Sequence, residues 1–567
     1  MLPDVRKLSD PQREALAWKV HEAKSLQLPK LQFWNYSLCK KHVNGWIEEF
    51  WDPETKEEKK RTVYTRPKPG CRECAIHFRK HQKISIAWLY LKKRALLADT
   101  MGTGKTTSAG GLLAMMMETG ELGYRRVAGG AVGRAILVPR APALRQWQRE
   151  LKRMIPSLDL QLVDSSLTKA KRADIYSFGD WTTLLIGPEM LRNDARMLEK
   201  LDLALVLTDD IDALRNPDTD TSYYLDRLGK QADRYVIMTG TPLQKKLPEM
   251  HSILDGIGGL SLFGDIDQFK KRYIKEETVT TVDRTTGLTS TMLQVTGYRN
   301  TLELKQKMAP LVLRRTADDL DDVTMPAVVP DDVMLDLYPK QRQKYKELQK
   351  GVVRILTEEG EQVKHATALS RLYYGAAICG GLVTLGEEDA PNTSMKLDWV
   401  IDKVQEGGDL GDEKVVIFAL FKNTIRALHR RLAAKNIGFE TIWGEEKDPD
   451  ARARSQDRFW DDPSCRILLG TAAIEQSLNL QVSRHLINID QIRNQARMEQ
   501  LAGRIRRDGS AHSHVFVHNL ITVDTQEERA MPVMEREAAL AGHILGDEKM
   551  ALYPSLTSTE MLRLITG

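Results

Sequence analysis

The stretch LLADTMGTGKTT, Leu96 to Thr107, sets a lysine and two hydroxyls directly behind two glycines at the end of an apolar run. That order suits a buried strand feeding a phosphate-binding loop. Gly102 and Gly104 let backbone N–H groups turn inward around an anion, and the helix that follows aims its positive end at the same point. Lys105 is then placed to reach β- and γ-phosphates, and the Thr106 hydroxyl to ligand Mg²⁺. Asp99, Met101, Thr103 and Thr107 complete the candidate loop, with Asp99 where the general pattern has glycine. The competing reading is a glycine-rich strand-to-helix turn carrying a chance Lys-Thr pair.

Three further groups of residues have spacings that could do chemistry. LALVLTDDIDALRN, Leu203 to Asn216, is an apolar strand ending in Asp209 and Asp210. Carboxylates at such a strand end, beside a phosphate loop, suit a metal ligand (Asp209) and a group that orients and deprotonates a water (Asp210). In QARMEQLAGRIRRDGS, Arg504 and Arg507 lie three apart, on one face of a helix, and can present two guanidiniums to one phosphate chain. Near the start, Cys39-Lys-Lys-His42 and Cys71-Arg-Glu-Cys74 are two pairs of soft or borderline ligands, each pair with two intervening residues. They suit a structural Zn²⁺, with His77 an alternative fourth ligand. Against this stands a reading in which the two turns are unrelated.

The elements that must position these groups follow from the pattern around them. Apolar runs alternate with amphipathic stretches from Phe78 onward, which argues for an α/β fold with helices on both faces of a parallel sheet. TVTTVDRTTGLTSTMLQV alternates β-formers around a Thr-Thr-Gly turn and predicts a hairpin. The chain has 567 residues, 42% hydrophobic and 28% charged, with a net charge of +5. This is a globular composition of several domains that tolerates a polyanionic partner without demanding one. Five cysteines in such a length exclude a disulfide framework. No window reaches the ~18 uninterrupted apolar residues of a membrane span, and MLPDVRKLSD lacks the apolar core of a signal peptide. The expectation is a cytoplasmic protein with no membrane partner.

Asp-x-Met-Gly-x-Gly-Lys-Thr, with Asp99 first, resembles the opening motif of the Swi/Snf-type ATPases, the chromatin-remodeller branch of the second helicase superfamily. Thr239 to Gln244, TGTPLQ, is similar to that family's third motif, and Gln500-x-x-x-Arg504-x-x-Arg507 to its sixth. The resemblance runs from about Gln82 to Glu528. It implies two tandem RecA-like P-loop domains with helical protrusions, here preceded by the small Cys/His module. The expected boundaries are 1–77 for that module, 78–310 for the first RecA-like domain and 311–395 for a connector with the protrusion. The second RecA-like domain follows at 396–537, and a helical tail at 538–567.

The roles implied by the resemblance are adenine reading by Gln82, and coupling of hydrolysis to domain movement by Thr239, Gly240 and Thr241. They include ATP binding by Gln500, transition-state contacts by Arg504 and Arg507, and nucleic-acid contacts by Arg140, Arg145, Thr471 and Asn479. Trp147 reads as core. Arg314 and Arg315 either touch phosphates or brace the two domains. Where the family has Asp-Glu-x-His, this chain has Asp209-Asp210-Ile211-Asp212, so an aspartate one methylene shorter stands in the position of the base. The implied function is ATP- and Mg²⁺-dependent translocation on double-stranded DNA in replication, recombination or repair, with forked or single-stranded DNA as further substrates. The alternatives are a strand-separating DNA or RNA helicase and a nucleic-acid clamp with little or no turnover.

Overall fold

A computed structural model describes residues 46–52, 57–63, 78–123, 133–242, 247–282, 289–320, 323–359, 365–443, 449–475, 478–491, 495–507, 510–531 and 558–566. Cys39, His42, Cys71, Cys74 and His77 lie outside the described residues, as does most of the amino-terminal module. Of that module the backbone of one antiparallel hairpin is described, β1 (Trp46–Asp52) with β2 (Glu57–Val63).

The first large sheet has seven strands, all parallel. They are β3 (Arg94–Leu97), β4 (Arg134–Pro139), β5 (Leu160–Val163), β6 (Thr183–Ile186), β7 (Leu203–Asp209), β8 (Arg234–Met238) and, later in the chain, β11 (Val312–Leu313), in the order β11-β3-β8-β7-β4-β6-β5. The strands are nearly continuous apolar runs because helices cover both faces. Leu96, Ile136 and Val206 pack into one core, and Leu97, Leu137 and Leu207 into the other.

Between β8 and β11 stands the hairpin of β9 (Ile274–Val282) and β10 (Thr289–Tyr298), paired antiparallel with an irregularity between Val295 and Gly297. It matches the expected turn around Thr285-Thr286-Gly287. Thr285 to Gly287 themselves lie outside the described residues.

The second sheet has six strands, again all parallel: β12 (Ala327–Leu335), β13 (Val415–Phe418), β14 (Phe439–Ile442), β15 (Ile467–Gly470), β16 (His485–Asn488) and β17 (His514–Thr522), ordered β12-β17-β16-β13-β15-β14. Apolar cores lie on both of its faces. The two parallel sheets are the tandem RecA-like pair.

The crossing from one sheet to the other falls within the 311–395 segment expected as a connector. β11 closes an edge of the first sheet against β3, and β12 already belongs to the second, so the crossing lies between Leu313 and Ala327. A two-residue strand carries too little periodicity to be read. The protrusion is built from the helices Pro339–Glu359 and His365–Gly380, and the terminal helix Ser558–Thr566 packs on both through Leu562 and Ile565. The tail thus completes the protrusion's core. Among the described residues, no helix is long and apolar enough to cross a membrane.

Candidate active site

Strand register brings the candidate residues together. Leu97 pairs with Met238, Met238 with Asp209, and Asp209 with Pro139, so four strands end level with one another. The segments leaving those ends are the glycine loop, Thr239–Thr241, Asp210–Asp212 and Arg140.

The loop has the backbone an anion cradle needs. Gly102 and Gly104 have φ of +82° and +83°, which L side chains rarely adopt. A Cβ on Gly104 would come 2.4 Å from Gln82 Nε2, and one on Gly102 would meet Arg506 O and Met325 Cε at 3.0 Å. Lys105, the first residue of the helix Lys105–Glu118, donates from Nζ to the carbonyls of Asp99 at 2.9 Å and Thr100 at 3.2 Å. Its amine fills the loop's own concavity. Burial holds its pKa down against the opposing charges of Asp210, Asp209 and Asp99.

On the helix Lys80–Lys92, His81 Nε2 and Gln82 Nε2 both lie against the Thr103 carbonyl, at 2.9 and 3.1 Å, while Gln82 Oε1 accepts from the Arg79 N–H at 3.0 Å. His81 was not among the residues singled out from the sequence.

Asp99 is committed to Arg315. Its carboxylate takes a two-pronged ion pair from Arg315, at 3.1 and 2.5 Å, and the same guanidinium donates to His81 O and Ser85 Oγ. Arg314 donates to Ala98 O at 3.0 Å. The described contacts of both arginines tie the segment after β11 to the glycine loop and the helix Lys80–Lys92 of the same domain.

Asp209 and Asp210 sit side by side in the cleft. Burial, then the neighbouring Asp210 charge, pushes the Asp209 carboxyl above the usual carboxylate range against Lys105, Arg140 and a hydrogen bond from Trp147. Asp210 is held below the usual carboxylate range although burial opposes this, because Lys105, Arg140, Thr239 and Arg504 favour its charged form. Its backbone is left-handed, with φ of 52°. Its N–H donates to Met238 O at 2.9 Å, and its Oδ1 accepts from the Gly240 N–H at 3.3 Å. Trp147 is buried core, as expected, and also touches the site.

Thr239, Gly240 and Thr241 are buried between these groups. A Cβ on Gly240 would meet Met101 Cγ at 2.6 Å and Lys105 Nζ at 3.2 Å. Thr241 Oγ1 accepts from Gln500 Nε2 of the second sheet's domain at 3.1 Å. Gln500 therefore meets Thr241, not the glycine loop itself.

The two arginines have different partners. Arg504 faces the acid pair across the cleft. Burial and the like charge of Arg507 bring its pKa down to about 9, with Asp210 and Asp209 opposing. The Arg507 guanidinium instead donates to Leu478 O at 2.8 Å, although its Cα would lie 3.5 Å from a Cβ on Gly102.

The residues expected to meet nucleic acid also diverge. Arg145 pairs with Asp164 at 3.1 Å on the helix Leu144–Met154. Arg140 turns inward onto Asp210 and Asp212. Thr471, buried, follows β15, and Asn479 accepts through its carbonyl from Gln456 Nε2 at 3.1 Å.

The donor set fits a magnesium nucleotide. The glycine cradle has no room for a Cβ, the loop lysine donates to the loop's own carbonyls of Asp99 and Thr100, and two crowded carboxylates lie within electrostatic reach of that lysine. Thr106 and Asp209 are the residues that would hold Mg²⁺.

Residues 12–380 match the SNF2-related domain and residues 396–509 the helicase conserved C-terminal domain. Similar proteins include the CHD3-type chromatin-remodeling factor CHR7 of Arabidopsis thaliana, 24% identical over 81% of this chain and 36% of that protein. Zorya protein ZorD of Escherichia coli is 24% identical over 83% and 45%, and DNA repair and recombination protein RAD54B of Mus musculus 23% over 86% and 59%. The chain thus spans between about a third and three fifths of the length of these relatives. A solved Sulfolobus solfataricus SWI2/SNF2 ATPase core in complex with dsDNA aligns with 81% of this chain and 91% of its own, at 21% identity and a TM-score of 0.38. With the SNF2-related domain matching well over half of its length, the chain belongs to the SNF2-related family.

Proposed function

We propose that the protein is an ATP-dependent translocase on double-stranded DNA, serving replication, recombination or repair. The observation that carries this reading is the meeting of Lys105, Asp209 and Asp210 from one sheet with Arg504 from the other, beside the Gln500–Thr241 hydrogen bond. Such a cleft can turn hydrolysis into relative movement of two domains.

In this reading Lys105 exchanges its two carbonyl partners for phosphate oxygens. Bound Mg²⁺ supplies neutralisation of the phosphate charge. Asp210, kept ionised by Lys105 and Arg140, accepts the proton of the attacking water. Arg504 opposes the charge that develops on the transferring phosphoryl group. The Gln500–Thr241 contact links that event to domain closure, and each domain grips the DNA backbone separately, so tracking is independent of sequence and sensitive to salt.

Triplex displacement tests the translocase reading. The expected result is ATP-dependent release of a third strand without separation of the duplex beneath it, and unwinding of the duplex instead would favour a strand-separating helicase. The second reading, a nucleic-acid clamp with slow turnover, is favoured by the short Asp210 and by Asp212 in the position of the family's His. For the amino-terminal module we propose that Cys39, His42, Cys71 and Cys74 hold a structural Zn²⁺. Metal analysis of the purified chain is expected to find one zinc per chain, and its absence would retire the site.

A further inference from the structure

Arg140 stands where nucleic-acid contact is expected, yet it is turned into the cleft, with its side chain 15% exposed. The pairing of Pro139 with Asp209 sets it beside the turn that follows β7. Its Nε donates to the Asp210 carbonyl and its terminal nitrogen to Asp212 Oδ1 at 3.0 Å. Asp212 also lies 3.6 Å from Arg215 Nε. Arg215, 8% exposed, donates to Thr241 O at 2.7 Å and Pro242 O at 3.1 Å. Thr241 in turn receives Gln500 from the second domain. Ion pairs and hydrogen bonds thus connect Arg140, through Asp212 and Arg215, to the Thr241 segment that receives Gln500 from the other domain.

An aspartate is a methylene shorter than a glutamate, so its backbone must carry the carboxylate forward. Asp210 does this with a left-handed φ of 52°, fixed at its N–H by Met238 and at its carbonyl by Arg140. We infer that Arg140, anchored by Asp212, is a positioning residue that aims the Asp210 carboxylate during ATP hydrolysis and is not a contact to nucleic acid. This rests on the ATPase reading above.

The test uses the full chain with saturating duplex DNA. Arg140→Ala lowers kcat about tenfold or more with KM for ATP within about twofold, because a misaimed base costs the chemical step and not substrate binding. Arg140→Lys, which keeps the charge but reaches one acceptor, recovers part of the loss, and Asp212→Asn shifts kcat in the same direction by less. Duplex affinity and its dependence on salt stay as in the wild type.

Wild-type kcat in Arg140→Ala overturns the inference, as does weaker duplex binding with a shallower salt slope, which marks a lost phosphate contact. Hydrogen exchange without nucleotide separates this from the wider reading. If the wild type turns over no ATP with any nucleic acid, the ATPase reading fails by itself. Faster exchange at Asp210–Arg215 in Arg140→Ala, with the helix Lys105–Glu118 unchanged, then still supports the positioning, and unchanged exchange at Asp210–Arg215 overturns it.

Discussion

Asp210 bears most of the chemistry at the scale of single residues. It is the group nearest to Lys105 in electrostatic effect, and its carboxylate is fixed by the Gly240 N–H. Asp210→Asn keeps that hydrogen bond but cannot take a proton, so kcat is expected to fall by roughly 10²–10⁴. Steady-state ATPase rates check this, and turnover near the wild-type rate would move the base elsewhere. A second carboxylate, just beyond β16 in the second sheet's domain, records the cost of burial. Asp490 is fully buried, and burial pushes it up to about 6, with Glu527 adding to the shift and Lys396 and the N–H groups of Leu420 and Phe421 opposing it. An unfolded aspartate titrates near ~3.9. Between those values the folded chain holds the proton more tightly, so the contribution is intact below pH about 4 and is lost as pH rises through about 6. Asp490→Asn has no such loss. Its Tm relative to wild type is expected to climb between pH 4 and pH 7, by an amount on the order of 2–3 kcal/mol in stability. A difference that stays constant across that range contradicts this origin.

Among the elements, the loop before the helix Lys105–Glu118 and the turn after β7 were legible because each is a contiguous stretch: an apolar strand, then the residues that act. The hairpin of β9 and β10 was legible for the same reason, from its alternating threonines and valines. What could not be read depends on which strands lie side by side. Arg315 reaches Asp99 only because β11 pairs with β3, and Arg140 meets Asp210 only because β4 pairs with β7. Those neighbours are distant in sequence, and no local pattern names them. The Arg315–Asp99 pair is nearly enclosed, with side-chain exposures of 14% and 3%. Arg315→Ala leaves the carboxylate without its partner, at a cost of about 3–5 kcal/mol. Thermal unfolding is expected to show that loss, and a KM for ATP that rises as the loop loosens. Unchanged stability would mean that Asp99 finds another partner.

For the molecule as a whole, two parallel sheets face one another through residues that neither sheet could supply alone. Lys105 and the acid pair leave the carboxyl ends of the first, while Arg504 and Gln500 come from the helix Gln495–Ile505 of the second. The two arginines, read from sequence as a matched pair, have different partners because Arg507 is drawn to Leu478 O. Helical spacing places both on one face but does not fix where each guanidinium ends. The helices expected from sequence as a protrusion share an apolar core with the terminal helix through Leu562 and Ile565, a pairing of distant segments that no local pattern names. The most direct measurement is ATP turnover by the full chain with duplex DNA, single-stranded DNA and RNA supplied separately, for wild type and Lys105→Ala. Turnover stimulated most by duplex and reduced about a hundredfold or more by the substitution is the expected result. No stimulation by any of the three, with the two proteins indistinguishable, would contradict a DNA-driven motor.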